Sequence, residues 1–93
     1  ASNFTSVYHI LPVLLPEKTD RVTVIGALKE KRIQSSIHYP PFWDFTGYKG
    51  QFSANDSPVT ADICRRQLTL PLFPTMTEHE VDQVCNALLE ALA

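Results

Sequence analysis

Proline sets the lengths available to regular structure in this chain. Pro12, Pro16, Pro40, Pro41, Pro58, Pro71 and Pro74 each lack an amide donor and fix φ, so helices and strands have to fit between them. The nearly continuous apolar run from Ser6 to Leu15 predicts a strand covered on both faces, with Pro12 pushing it to a sheet edge and Pro16 helping to end it. Thr19 is the expected N-cap of a helix from Asp20 to about Lys31, where Val22, Ile25 and Leu28 recur at helical spacing. Asp20 at its start and Lys29, Lys31 and Arg32 at its end suit the helix dipole. Gly26 inside that helix costs ~1 kcal/mol relative to Ala, which close packing against a neighbour would explain. Ile33 to Tyr39 alternates: Ile33, Ser35, Ile37 and Tyr39 fall on one face, Gln34, Ser36 and His38 on the other. That is the pattern of a second strand, stopped by Pro40-Pro41.

Beyond a long connection over residues 40–57, Ser57-Pro58 reads as an N-cap followed by proline at the first helical position. The helix it opens, to about Gln67, is expected to bury Val59, Ile63 and Cys64. Leu68 to Phe73 is a short strand interrupted by Pro71 and closed by Pro74. Thr77-Glu78-His79-Glu80 is a capping box, followed by a stripe of Val81, Val84, Cys85, Leu88, Leu89 and Leu92. The order is β-α-β-loop-α-β-α, an α+β domain with helices packed on a small three-stranded sheet.

A chain of 93 residues holds one domain at most, with a radius of gyration of roughly 12 Å if compact. Eight Lys+Arg against ten Asp+Glu leave a charge of −2, which argues against a nucleic-acid or anionic-membrane partner. The run from Val7 to Leu15 is far too short to span a membrane. No basic-then-apolar signal opens the chain, which makes the cytoplasm the default location. Cys64 and Cys85 show neither the count nor the spacing of a disulfide scaffold or zinc site. They read as small buried apolar residues on helices, with a bridge between them left open.

The chemistry concentrates in the loop. Tyr39, Phe42, Trp43, Phe45, Tyr48 and Phe52 are six of the nine aromatics, packed into fourteen positions. A connection this long without periodicity is uncommon in a compact domain, and its aromatic content argues against disorder. Either it folds back into the domain's own core or it lies against a ligand or another domain. His38 stands at a strand end just before it, where rigid elements present polar groups to a cleft; a plain solvent-facing histidine is the alternative. His9 suits a structural role and His79 an exposed one, and the three are too scattered for a metal set. Gly26, Gly47 and Gly50 make no phosphate loop. Ser36 and His38 are merely same-face neighbours, a weak basis for a hydrolase. Arg65-Arg66 fits a solvated helix face better than an anion site.

Four stretches, "YHILPVLL", "ALKEKRIQSSIHYPP", "GYKGQF" and "SPVTADICRRQLTLPLFPTMTEHEVDQVCNALLEAL", together resemble the C-terminal end of the DegT/DnrJ/StrS sugar aminotransferases. These are pyridoxal-phosphate (PLP) enzymes of the aspartate-aminotransferase fold. The resemblance covers nearly all of the chain and is most specific over Ile33 to Pro41 and Leu68 to Val84. It implies that residues 1–93 are the single, small C-terminal domain of an enzyme about four times longer. The parent would move an amino group onto a keto-sugar nucleotide. The large N-terminal domain, absent here, would hold the cofactor phosphate site, the Asp that pairs with the pyridine nitrogen and the Schiff-base lysine.

By the same resemblance, the fragment alone is expected to bind no cofactor and not to transaminate. Lys18, Lys29, Lys31 and Lys49 lie in a turn, near a helix end or in the loop, not in a desolvated pocket. His38, Tyr39 and Pro40 match the family's His-Tyr-Pro turn toward the nucleotide-sugar substrate, and Tyr48 and Lys49 match a Tyr-Arg/Lys pair. With Trp43 from the aromatic loop, these six are the expected substrate contacts. Phe42-Trp43-Asp44 stands where many relatives carry a second histidine, and Phe73 where many read histidine. The implied partners are the large domain, a second copy in a homodimer, and the nucleotide sugar. The rival expectation is a free-standing, non-catalytic binding module that uses loop 39–52.

Overall fold

Four consecutive residues, Gln67 to Leu70, are all buried, and the rest of the molecule is arranged around them. The computed structural model describes residues 3–93. Strand β1 is Leu11–Leu14 and helix α1 is Arg21–Glu30. Three single 3₁₀ turns follow, at Phe42–Asp44, Thr46–Tyr48 and Ala54–Asp56. Helix α2 is Pro58–Arg66, strand β2 is Gln67–Leu70 and helix α3 is Glu78–Leu92. β1 and β2 pair antiparallel, Leu11 opposite Leu70 and Leu14 opposite Gln67.

The sheet has two strands rather than three. The alternating segment Ile33–Tyr39 contributes one isolated bridge, Ser36 to Thr69, closed by two backbone bonds of 3.0 and 2.7 Å. This bridge explains the proline in β1. Thr69 turns both of its backbone groups toward Ser36, so it has none left for β1. Pro12, directly opposite Thr69, therefore loses no ladder bond by lacking an N–H. Both strands are shorter than the apolar runs suggested. Residues 4–10 are exposed and irregular ahead of β1, and Pro71 ends β2 after Leu70.

Helix α1 begins one residue later than expected, with Asp20 as its cap: the carboxylate accepts from the Val22 amide at 3.2 Å and from the Thr23 hydroxyl at 2.7 Å. The Thr23 hydroxyl, with the Val22 and Thr23 amides, holds the Asp20 carboxyl below its ordinary 3.8. The far end is a Schellman turn. Arg32 sits at φ 60°, its amide donating to Lys29 and that of Ile33 to Leu28. Leu28 and Ile33 both join the core, so the cap also directs the chain back toward β2.

The core is Leu15, Val24, Leu28, Leu68, Leu70, Val84 and Ala87, with Val13, Ile25, Ile33, Met76, Leu88, Ala91 and Leu92 packed against it. In α3 the Thr77–Glu80 capping box is present. Its buried face, however, is rotated from the expected stripe. Val84, Ala87, Leu88, Ala91 and Leu92 face inward, while Val81, Cys85 and Leu89 stay exposed. The alanines let α3 approach α1 closely, and a chain-wide count of large apolar residues does not register them. Lys31 and Glu90 form an exposed ion pair between the ends of these helices, of a kind that contributes about 0–1 kcal/mol.

Three further expectations fail. α2 buries none of its residues: Val59 and Ile63 are exposed and Cys64 is half-buried. Polar links at its C-terminal end hold it instead. Arg66 Nε donates to the Leu15 carbonyl (2.9 Å), Arg21 Nη1 to the Cys64 carbonyl (2.6 Å), and the Leu15 amide to the Arg66 carbonyl (2.9 Å). The cysteines lie on helices but are unbridged and not buried, Cys85 being exposed. Gly26 is exposed, and an added Cβ would meet nothing within 4 Å, so close packing does not account for it. The radius of gyration, 15.3 Å, exceeds the compact expectation because residues 3–10 and the loop stand off the core.

These placements order a set of substitutions. Leu28→Ala, at a fully buried position, is expected to lower unfolding free energy by about 2–5 kcal/mol. Val59→Ala should stay within about 0.5 kcal/mol, and Gly26→Ala should stabilise by up to about 1 kcal/mol. Urea unfolding of the three variants checks this order, and a costly Gly26→Ala would contradict the open helix surface.

Candidate functional site

Two buried polar side chains on one face of β2 give the candidate site its base. Gln67 and Thr69 are 6% and 5% exposed, and burial of that kind is unfavourable unless their polar atoms are paired. Both are paired with the turn that follows the Ser36 bridge. Thr69 Oγ1 lies 2.8 Å from His38 Nδ1, and Gln67 Nε2 donates to the Tyr39 carbonyl at 3.1 Å. Arg21 Nη1 donates to the Gln67 carbonyl at 3.1 Å, joining the start of α1 to the same strand. His38 is thereby half-buried and oriented, while Tyr39 beside it is 66% exposed, its ring edge-on to the imidazole at 4.9 Å. The peptide between them is cis.

Past Pro40 and Pro41 the loop builds a second unit around one ring. Phe42 makes edge contacts with Trp43 (5.2 Å), Tyr48 (5.5 Å) and Phe52 (5.3 Å). The 3₁₀ turns at Phe42–Asp44 and Thr46–Tyr48 supply the curvature that brings these side chains together. None of these residues belongs to the hydrophobic core. Trp43 is half-buried, and Phe42, Phe45, Tyr48 and Phe52 are each between 40% and 48% exposed. The loop thus packs on itself and leaves half of each ring toward solvent, so it does not fold back as core. Lys49 is exposed, its amide donating to the Phe45 carbonyl at 3.1 Å.

Of the six expected contacts, His38 and Tyr39 share the β2-anchored turn, and Trp43 and Tyr48 share the Phe42 cluster. Pro40 joins the two sets and Lys49 flanks the second. Sequence reading missed Gln67, Thr69 and Arg21. The available signal was the alternation Gln67-Leu68-Thr69-Leu70, two polar residues in register within an otherwise apolar strand. Arg66 is structural, tied to Leu15 and Asp62, and Arg65 pairs with Asp62 on the helix surface.

A hollow of about 930 Å³ lies elsewhere, between residues 31–36, the chain after β2, and α3. It carries both charge signs, Lys31 and Arg32 against Glu80 and Glu90, and includes none of the six residues. That mixture selects no ligand class, so the anchored turn and its aromatic loop are the better site. Among the described residues no three His, Cys, Asp or Glu side chains gather as a metal set, and no helix is long and apolar enough to cross a membrane.

Phe42→Ala should release the ring cluster. Trp43, the chain's single tryptophan, is then expected to shift its fluorescence emission to the red, with faster amide exchange over residues 42–52. Unchanged emission would contradict an assembly centred on Phe42.

The family model for the DegT/DnrJ/EryC1/StrS aminotransferases matches residues 1–89. The spore coat polysaccharide biosynthesis protein SpsC of Bacillus subtilis is 34% identical over 86 residues, which is 86% of this chain and 22% of that protein. The dTDP-4-dehydro-2,3,6-trideoxy-D-glucose 4-aminotransferase of Saccharopolyspora spinosa is 32% identical over 88 residues, 95% of this chain and 22% of the enzyme. Spr1654 of Streptococcus pneumoniae, assigned as a sugar aminotransferase, superposes with a TM-score of 0.82 in its PMP-form and 0.81 in its apo-form. It is 25% identical, over 90% of this chain and 22% of that one. The chain thus spans about a fifth of the length of the relatives it matches.

Proposed function

From the premise that this chain belongs to the DegT/DnrJ/EryC1/StrS aminotransferase family, we propose that it is the small C-terminal domain of a PLP-dependent aminotransferase acting on a keto-sugar nucleotide. The domain forms one wall of the substrate cleft, contributes the contacts of the His38 turn and aromatic loop, and supports a homodimer. Two features support the substrate class: one relative is named for a dTDP-linked dehydro-sugar, and the loop offers what such a molecule needs. Half-exposed aromatic rings suit stacking on a base or sugar face. His38 and Lys49 suit hydrogen bonds or charge pairing with phosphate oxygens. The observation that carries the reading is the pairing of His38 with buried Thr69 at the mouth of a loop whose rings leave the core.

This chain's own residues do not fit the cofactor. A lysine that forms a Schiff base needs a desolvated pocket, and Lys18, Lys29, Lys31 and Lys49 are all exposed, Lys31 in an ion pair. The cofactor's lysine and phosphate site therefore belong to the large domain in this reading, and the chain's part is binding and orientation. Two unbridged cysteines suit a reducing, cytoplasmic setting.

The test is His38→Ala in the full-length enzyme. A lost hydrogen bond to a charged group corresponds to about a 10- to 100-fold fall in kcat/KM for the sugar nucleotide. The visible absorbance of the bound cofactor should stay unchanged. Unaltered kinetics would remove His38 from the substrate contacts.

A further inference from the structure

Thr69 has a second, less obvious consequence for His38. Its backbone N–H and C=O are both used by Ser36, and its hydroxyl has one partner among the described residues, His38 Nδ1 at 2.8 Å. Two proton arrangements fit that distance. If Nδ1 carried the ring proton and donated to the hydroxyl, the hydroxyl's own proton would be left without an acceptor in a residue 5% exposed. An unsatisfied buried donor bears its full desolvation penalty, which disfavours that arrangement by about tenfold or more. In the other arrangement the hydroxyl donates to a bare Nδ1, so the proton of the buried threonine is used, and the ring proton sits on Nε2 of the half-buried His38.

We infer that Thr69 is a positioning residue that locks neutral His38 in its Nε2–H form, so that the turn presents an uncharged N–H donor to an acceptor-only oxyanion of the phosphate class. Gln67 completes the device two residues earlier on the same face of β2, gripping the Tyr39 carbonyl and fixing the other end of the turn. Ionised phosphate oxygens only accept hydrogen bonds. A histidine offering a lone pair would repel them, and one offering N–H binds them without needing to be protonated. The inference rests on the reading of His38 as a substrate contact, but the lock itself is independent of it.

The experiment uses the full-length enzyme, ¹⁵N-labelled at histidine, with the His38 ring signals identified by their absence in His38→Gln. The expected spectrum near neutral pH has Nε2 protonated and Nδ1 as a hydrogen-bonded acceptor. In Thr69→Val, which keeps the shape and strand preference of threonine, those signals should move to values averaged over both forms, and Thr69→Ser should restore them. Kinetically, Thr69→Val is expected to lower kcat/KM for the sugar nucleotide about threefold to tenfold and to add nothing in a His38→Ala background. A merely structural threonine would instead add its effect there. A proton found on Nδ1, ring signals indifferent to Thr69→Val, or additive kinetics would each overturn the inference. If the ring signals follow expectation while both single variants keep normal kinetics, the lock stands and the substrate-contact reading of His38 falls.

Discussion

The pairing of Thr69 with Ser36 on one side and Pro12 on the other is the constraint on which the domain depends. A strand with neighbours on both sides has to share its backbone groups between them. In β2 the central residue directs both of its groups to the Ser36 segment. That choice makes room for a proline in β1, holds residues 33–38 against the core without a full strand, and leaves the Thr69 side chain free for His38. Leu68 and Leu70, alternating with the polar pair, anchor the same four residues in the apolar core. One short strand therefore carries both packing and site geometry.

The molecule divides into a tight centre and a loose margin. α1, α3 and β2 bury Val24, Leu28, Val84, Ala87, Leu68 and Leu70 in one core, whereas α2, the aromatic loop and residues 4–10 leave Val59, Ile63, Phe45, Val7 and Phe4 in solvent. A domain of this size has little interior to offer, and the margin holds the residues read here as substrate contacts. Aromatic rings that pack on each other, but not on the core, keep their outer faces open, as the proposed cleft wall requires.

Charge plays a local part. Arg21 and Arg66 reach across to carbonyls of Cys64, Gln67 and Leu15, tying α1, α2 and β1 together where apolar contact is missing. Sequence reading weighed Arg65-Arg66 only as surface or anion site, because a carbonyl acceptor donated by a distant part of the chain leaves no mark in composition.

Local chemistry made much of this legible from the residues alone. The Thr77–Glu80 capping box and the proline start of α2 depend on neighbours in the chain, and both stand where the sequence put them. The aromatic loop was legible for the same reason, and the family resemblance rested on contiguous phrases. Tertiary structure decided what depends on partners far apart in sequence: that Ile33–Tyr39 makes one bridge and not a strand, that α3 turns its alanine side to α1, that Val59 and Ile63 find no cover, and that His38 meets Thr69 across 31 positions. Periodicity says which residues share a face. Which face is buried is set by where the competing apolar surfaces and unpaired backbone groups meet, and that is a property of the whole packing.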